Sequence, residues 1–293
     1  MHAVVFAYHD VGVHCLQALL KAGIKIDLVI THEDDPHENV WFGSVAKLCQ
    51  EKHIAYITPS ASELENLVPK IQALAPDYIF SFYYRHMISA PILACAKIAA
   101  LNMHGSLLPK YRGRAPVNWA VLHGEKETGA TLHVMEIKPD AGDIVGQAAV
   151  GIGPDETATE VFAKVSNAAV EVINQVLPQL LQGTVPRKPN DLAKGSYFGG
   201  RKPSDGQIHW EQTARQVHNL VRAVAPPYPG AFTDHEGKTM VVAKTSLNGP
   251  FPANLNLGVT GIQLVDNRVF GICGDRQALE ILDWFPAKPS AAN

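Results

Sequence analysis

Asn102 and His104 stand two residues apart near the start of LNMHGSLLPKYRGRAP, residues 101–116. An amide can donate to a developing oxyanion, and an imidazole can move a proton near neutral pH. The pair suits addition to a carbonyl followed by collapse of the adduct. Neither side chain is a strong nucleophile, so direct transfer fits better than a covalent enzyme intermediate. Ser106 follows closely, but HGSLL lacks the G-x-S-x-G turn that exposes a nucleophilic serine. A histidine in such a role needs a carboxylate to orient it. Asp140, in the turn-rich IKPDAGDI of residues 137–144, is the candidate. Pairing with Asp140 favours the charged imidazole and is expected to raise the His104 pKa. On spacing alone other roles remain open. Asn102 also suits a loop cap, His104 a satisfied core histidine, Asp140 a plain turn, and Lys110, Arg112 and Arg114 a solvated loop.

These side chains need a scaffold. A strand over 98–104 would put Asn102 and His104 on one face, because strand side chains alternate with period two. Both would then lie at its carboxyl end, where open α/β sheets bind their ligands. Gly105 lets the chain turn, and Pro109, Gly113 and Pro116 stiffen the loop. Upstream, β-rich runs at 2–8, 25–31, 54–58 and 77–82 alternate with helical patterns at 12–22, 42–52, 62–74 and 89–96. Ser62 and Glu65 read as a capping box for the third helix. The alternation predicts βαβ units and a mostly parallel sheet. Strands at 129–136 and 143–150, then a helix over 156–182 bent or broken near Pro178, complete an α/β domain over residues 1–185. Residues 186–204, rich in Pro, Gly, Lys and Arg, read as a linker. A helix at 212–224 and short strands at 231–234, 239–245, 258–265, 268–273 and 278–283 follow. They predict a small, barrel-like β domain over 205–293.

Composition narrows the function. The 293 residues carry a net charge of −3, with 18% charged residues. That balance argues against a broad phosphate-backbone surface and hence against nucleic acid as a partner. Cys15, Cys49, Cys95 and Cys273 form no C-x-x-C pair, which reads as reduced thiols in a cytoplasmic protein. MHAVVFAYHD has no basic leader and reads as a first strand, not a signal peptide. No apolar run approaches a membrane span. THEDDPHEN, residues 31–39, gathers His32, Asp34, Asp35 and His37 without any metal-site spacing and reads as a polar loop. His9 and His14 are read the same way, so no metal is expected. AYHDVG, residues 7–12, lacks G-x-G-x-x-G, so a Rossmann-like sheet here does not imply NAD.

Resemblance sharpens the reading. N-x-H-G-S-L-L-P-x-Y-R-G-x-x-P with D-A-G-D-I downstream resembles the 10-formyltetrahydrofolate-dependent formyltransferase family. Its members act on methionyl-tRNA, glycinamide ribonucleotide and amino-sugar nucleotides. Residues 4–12, 42–48, 79–89, 104–119 and 221–232 are most similar to the branch that formylates UDP-4-amino-4-deoxy-L-arabinose. The resemblance implies an α/β fold, a Rossmann-like formyltransferase domain followed by a small OB-like barrel. It implies 10-formyltetrahydrofolate as formyl donor, with no metal and no NAD. It implies Asn102, His104 and Asp140 as the catalytic trio. In the implied mechanism a sugar amine attacks the formyl carbon, and Asn102 and protonated His104 stabilise the oxyanion. His104 then passes the proton to the departing folate nitrogen, while Asp140 holds the imidazole. Donor binding falls by resemblance to His86, Met87, Ile88, Arg114, Glu136, Ile137, Lys138, Pro139 and Asp140, largely through backbone groups.

For the nucleotide sugar the resemblance points to Tyr8 and to Arg201 in YFGGRKPSDG, residues 197–206. Arginine suits bidentate phosphate recognition, though Arg201 equally suits a solvated linker charge. The implied partner is a nucleotide sugar, not nucleic acid or membrane, and the oligomeric state stays open. The implied pathway is lipid A modification and resistance to cationic antimicrobial peptides. Two other acceptors compete: a dTDP-4-amino-dideoxyhexose and methionyl-tRNA. The tRNA is disfavoured by the acidic 31–39 stretch, where a basic insertion is expected, and by the NW of APVNW. A non-catalytic folate or nucleotide binder has no use for the complete trio. Bifunctional members of the branch continue into an NAD-dependent decarboxylase. Asn293 falls near the expected end of the small domain, which fits either a standalone transferase or one half of a longer protein.

Overall fold

Every residue of Tyr78–Phe82 is buried, the signature of a strand covered on both faces. In the computed structural model, which describes residues 1–36 and 38–287, this strand lies near the middle of a seven-stranded sheet. The first five strands are β1 (His2–Ala7), β2 (Lys25–Ile30), β3 (Tyr56–Ile57), β4 (Tyr78–Phe82) and β5 (Ala99–His104). They pair in parallel. The helices between them are α1 (His9–Lys21), α2 (Val45–Glu51), α3 (Val68–Leu74) and α4 (Ala90–Leu93). Beyond β5 come β6 (Arg112–Gly113), α5 (Pro116–Leu122), β7 (Glu127–Val134), β8 (Ile144–Gly151), α6 (Ala158–Leu180) and β9 (Tyr197–Phe198). The sheet order is β3-β2-β1-β4-β5-β7-β8, and β7 runs antiparallel to β5. Strand order reverses between β1 and β4, which opens a crevice at their carboxyl ends. Val4, Phe6, Leu28, Ile30 and Ile79 share one apolar cluster with Leu64, Ile71 and Ile92 from the covering segments.

Three local expectations need correction. The pattern at 62–74 is two elements, a 3-10 turn at Ala61–Leu67 and then α3, because Pro69 has no N–H to continue an α-helical ladder. Its capping box is Ser60 with Glu63, not Ser62 with Glu65; the Glu63 carboxylate accepts the Ser60 N–H at 2.8 Å. Helix α6 is not broken at Pro178, which stands in its last turn, just before the chain leaves through Gly183 at φ +74°. Within residues 186–204, β9 pairs in parallel with β6, and Lys188 bridges Ile144.

The chain divides into two compact units. One comprises Met1–Pro116, Thr128–Val150 and Ala163–Phe198; the other comprises Val117–Glu127, Gly151–Phe162 and the chain from Gly199. The second holds α7 (Ala214–Val224) and strands β10 (Ala231–His235), β11 (Lys238–Ser246), β12 (Gly261–Val265), β13 (Arg268–Ile272) and β14 (Ala278–Pro286). These pair antiparallel in the order β10-β11-β14-β13-β12, with register shifts where β11 meets β14. The outer strands β10 and β12 share no ladder among the described residues, so the expected OB-like barrel is not established. No helix among the described residues is long and apolar enough to cross a membrane.

One arginine explains why the second unit draws on distant stretches of chain. Arg222 of α7 is 5% exposed and meets no carboxylate within ion-pair distance among the described residues. Its Nε donates to Asn219 Oδ1 at 2.9 Å, its Nη1 to the carbonyls of Gly153 and Glu156, and its Nη2 to that of Val121. Asn118 adds a bond to the Ala223 carbonyl at 2.8 Å. Burial lowers the Arg222 pKa, so the guanidinium is held against a desolvation cost by these acceptors. Arg222→Lys should lower unfolding free energy by about 2–4 kcal/mol, because one ammonium cannot satisfy four separated acceptors. Urea denaturation followed by tryptophan fluorescence checks this; an unchanged midpoint would refute the role of Arg222 as the tie.

Candidate active site

Antiparallel pairing of β5 with β7 sets Asn102 opposite His133 and His104 opposite Thr131. Asn102 and His104 share a strand face, as their spacing predicts. His133 Nδ1 donates to the Val134 carbonyl at 2.8 Å, so its Nε2 accepts the Asn102 amide at 3.0 Å. The second amide N–H of Asn102 is left for another acceptor. His104 Nε2 donates to the Tyr111 carbonyl at 2.7 Å, which makes Nδ1 the basic nitrogen. Nδ1 lies 3.5 Å from Asp140 Oδ1. The same oxygen is 3.3 Å from His133 Nε2, and Oδ2 accepts the Gly113 N–H at 2.8 Å.

Asp140 reaches this point from the loop between β7 and β8. Its φ is +51°, a left-handed conformation that aspartate tolerates better than most residues. Asn190 holds the loop by donating to the carbonyls of Asp140 at 3.0 Å and Gly142 at 3.2 Å. A side chain at Gly142 would strike the Val134 carbonyl, so this approach requires glycine. Tyr111 and Ala115 also have positive φ, and strain of this kind, about 1–3 kcal/mol per residue, persists only where surrounding contacts impose it. Tyr111 is held by its N–H to Ser196 Oγ at 2.9 Å and by stacking on Phe198.

Burial sets the proton balance. Alone it would raise the Asp140 pKa, but the positive charge that His104 and His133 can carry and the hydrogen bond from the Gly113 N–H outweigh it and hold the carboxylate at about 2. For His104 the expectation of a raised pKa is corrected. Burial lowers it, and this exceeds the opposing pull of Asp140 and the Tyr111 carbonyl. The resting pair is therefore a carboxylate beside a neutral imidazole. A proton arriving on His104 would be stabilised at once by Asp140.

The basic loop also divides. Lys110 and Arg114 are exposed, whereas Arg112 is 9% exposed with Nε lacking a hydrogen-bond partner. Of the donor segments, Met87 and Ile137 are 63% and 78% exposed. Glu136 and Lys138 are exposed, while His86, Ile88 and Pro139 are half-buried. Tyr8 and Arg201 are not brought to the trio by any described contact. The Tyr8 ring is buried at the end of β1, and its hydroxyl donates to Asp34 Oδ1 at 2.7 Å. Arg201 belongs to the second unit, where its guanidinium lies 4.8 Å over the Trp119 ring and donates to the Asp205 carbonyl. In the acidic loop, His32 accepts the Arg85 N–H at 3.0 Å; His37 lies outside the described residues. Sequence reasoning missed His133, the Tyr111 carbonyl and Asn190. The only signal for His133 was a polar residue in the alternating strand TLHVM, and its partner follows from the β5–β7 register alone.

Solved structures of known proteins share this fold. WlaRD, a sugar 3N-formyl transferase solved with dTDP and 5-N-formyl-THF, superposes with a TM-score of 0.71 at 19% identity over 100% of this chain and 99% of its own. The N-formyltransferase of Helicobacter canadensis, solved with folinic acid and dTDP-3-aminofucose, gives 0.70 at 18% identity over 96% and 98%. A 4-N formyltransferase from Francisella tularensis gives 0.67 at 23% identity over 83% and 96%. At these identities the likeness is one of fold. The formyl transferase family model matches residues 1–177, and that of the formyl transferase C-terminal domain matches residues 201–289. Matched over more than half its length, the chain belongs to the formyl transferase family.

Proposed function

We propose that the chain transfers the formyl group of 10-formyltetrahydrofolate to the amino group of a nucleotide-linked sugar, and that this acceptor is UDP-4-amino-4-deoxy-L-arabinose. The observation that carries the reading is the buried His104–Asp140 pair, 3.5 Å apart, with Asn102 on the same strand face. Asn102 supplies the amide N–H that His133 leaves free, directed at the oxyanion. His104 takes a proton from the attacking amine and gives one to the departing nitrogen. Asp140 stabilises the imidazolium between those steps and fixes the ring.

Residues of the first unit suit the donor. Met87 and Ile137 are strongly exposed apolar side chains in the two segments assigned to it, and a flat pterin would cover them. Asn190 Oδ1, on the residue that carries the Asp140 loop, is buried without a hydrogen-bond partner. An unsatisfied buried acceptor suits the N–H-bearing edge of a pterin. His86, Ile88, Arg114, Glu136, Lys138, Pro139 and Asp140 complete that site through backbone and rim contacts. For the acceptor, the half-buried Arg201, stacked on Trp119 with Nε unpartnered, is assigned to the diphosphate. The UDP sugar is proposed from the resemblance of residues 4–12, 42–48, 79–89, 104–119 and 221–232 to that branch; with it as acceptor, the product would belong to lipid A modification. Four free cysteines support a cytoplasmic setting. A dTDP-linked amino sugar is the second reading, because dTDP and dTDP-3-aminofucose accompany two structural neighbours.

Purified protein with 10-formyltetrahydrofolate should release tetrahydrofolate when given UDP-4-amino-4-deoxy-L-arabinose. Turnover with the dTDP sugar instead would overturn the acceptor and keep the chemistry. His104→Ala should lower kcat by about 10²–10⁴-fold while folate binding persists; unchanged turnover would sink the assigned role. Arg201→Ala should raise the acceptor KM about tenfold and leave the donor KM in place. By NMR, the His104 imidazole should titrate below the ordinary histidine value. In Asp140→Asn the midpoint should fall further, since the anion favouring the charged ring is gone. A midpoint that rises in the variant would contradict the pairing.

A further inference from the structure

The mechanism leaves unused a dense group of aromatic and charged side chains at the crevice between β1 and β4. The described residues of 31–44 and residues 83–89 contain neither helix nor strand, and side-chain contacts help to hold them. Arg85 joins them. Both of its Nη groups donate to the two oxygens of Glu38, at 2.6 and 2.7 Å. Its guanidinium lies 4.7 Å over the Tyr8 ring, and its backbone N–H donates to His32 Nε2. The two flanking residues also meet His32: Tyr84 stacks on it at 4.2 Å, and His86 meets it edge-on at 4.7 Å. Tyr8 in turn is fixed by Asp34, and its backbone N–H bonds the Phe82 carbonyl at 3.0 Å.

At the other end of the short segment, Ile88 packs on the apolar cluster of the sheet. The segment is thus pinned on both sides, by Arg85 before it and by Ile88 after it, with Met87 projecting between them. We infer that the Arg85–Glu38 ion pair is a clamp that presents His86–Met87–Ile88 to the formyl donor, and that Glu38 and Arg85 are positioning residues for donor binding. Tyr8, with its hydroxyl committed to Asp34, serves as the platform under the Arg85 guanidinium rather than as a sugar contact. The inference rests on the reading that residues 86–88 bind the donor. A bidentate guanidinium–carboxylate pair fixes orientation as well as distance, so it suits this task better than a single contact would. Pre-forming the segment removes an ordering cost from binding, and its loss should therefore appear in affinity more than in the chemical step.

Glu38→Gln keeps the shape of the side chain and removes its charge. In steady-state assays it should raise the donor KM about five- to tenfold, with acceptor KM and kcat within about twofold of wild type. Dissociation of 5-formyltetrahydrofolate, followed by intrinsic tryptophan fluorescence, should weaken by the same factor. Charge exchange in Glu38→Arg with Arg85→Glu should recover donor affinity relative to Arg85→Glu alone, which loss of a generic surface contact would not do. Unchanged donor KM in Glu38→Gln would overturn the clamp. So would equal shifts in both KM values with a lowered melting temperature, since that marks a general structural role. The folate-binding arm separates this inference from the proposed acceptor. Wild-type protein inactive with every amino sugar but binding 5-formyltetrahydrofolate more tightly than Glu38→Gln would reject the acceptor and uphold the clamp.

Discussion

A single carboxylate organises the site. Asp140 meets His104, His133 and the Gly113 N–H, which come from β5, β7 and β6. It does so from a left-handed backbone conformation that Asn190 holds in place. A buried anion of this kind is costly unless positive or donating groups surround it. The Gly113 N–H and the two imidazoles that can take up positive charge beside the carboxylate are therefore a condition for the loop's position as well as a means of orienting a ring. Gly142 leaves room for this approach, and Gly113, at φ +98°, turns its N–H to the carboxylate.

The consequence for chemistry is a division of labour. Burial keeps His104 neutral at rest, while Asp140 stays ionised at about 2. A buried histidine without the anion would resist protonation; a paired histidine in water would already hold its proton. In the proposed mechanism the combination gives a base that is empty when the amine arrives and an acid that is stabilised once loaded. His133 adds a second function by taking one Asn102 N–H and so fixing the direction of the other.

The two units solve their folding problems differently. The first is a two-sided sheet whose apolar strands need little help from polar contacts. The second gathers three stretches of chain around α7, and there the buried guanidinium of Arg222 satisfies carbonyls that packing alone would leave bare. Alternating short strands predicted both its β content and a barrel-like closure; the β content is there, but among the described residues β10 and β12 share no ladder and the closure is not established.

Local pattern determined a good deal by itself. Alternation of strand and helix gave the mostly parallel sheet, because hydrophobic period and turn residues act over a few positions. The spacing of Asn102 and His104 placed them on one face for the same reason, and the motif with its resemblance pointed to formyl transfer. Local errors came where a neighbour competed: Pro69 split a helix, and Ser60 rather than Ser62 capped it. What the tertiary structure alone decided was every contact that joins distant segments. The meeting of Asp140 with His104, the register that sets His133 against Asn102, the Arg85–Glu38 pair and the burial that lowers the His104 pKa all depend on positions tens of residues apart. No periodicity encodes such distances, because they follow from how whole elements pack and not from the order of residues within any one of them.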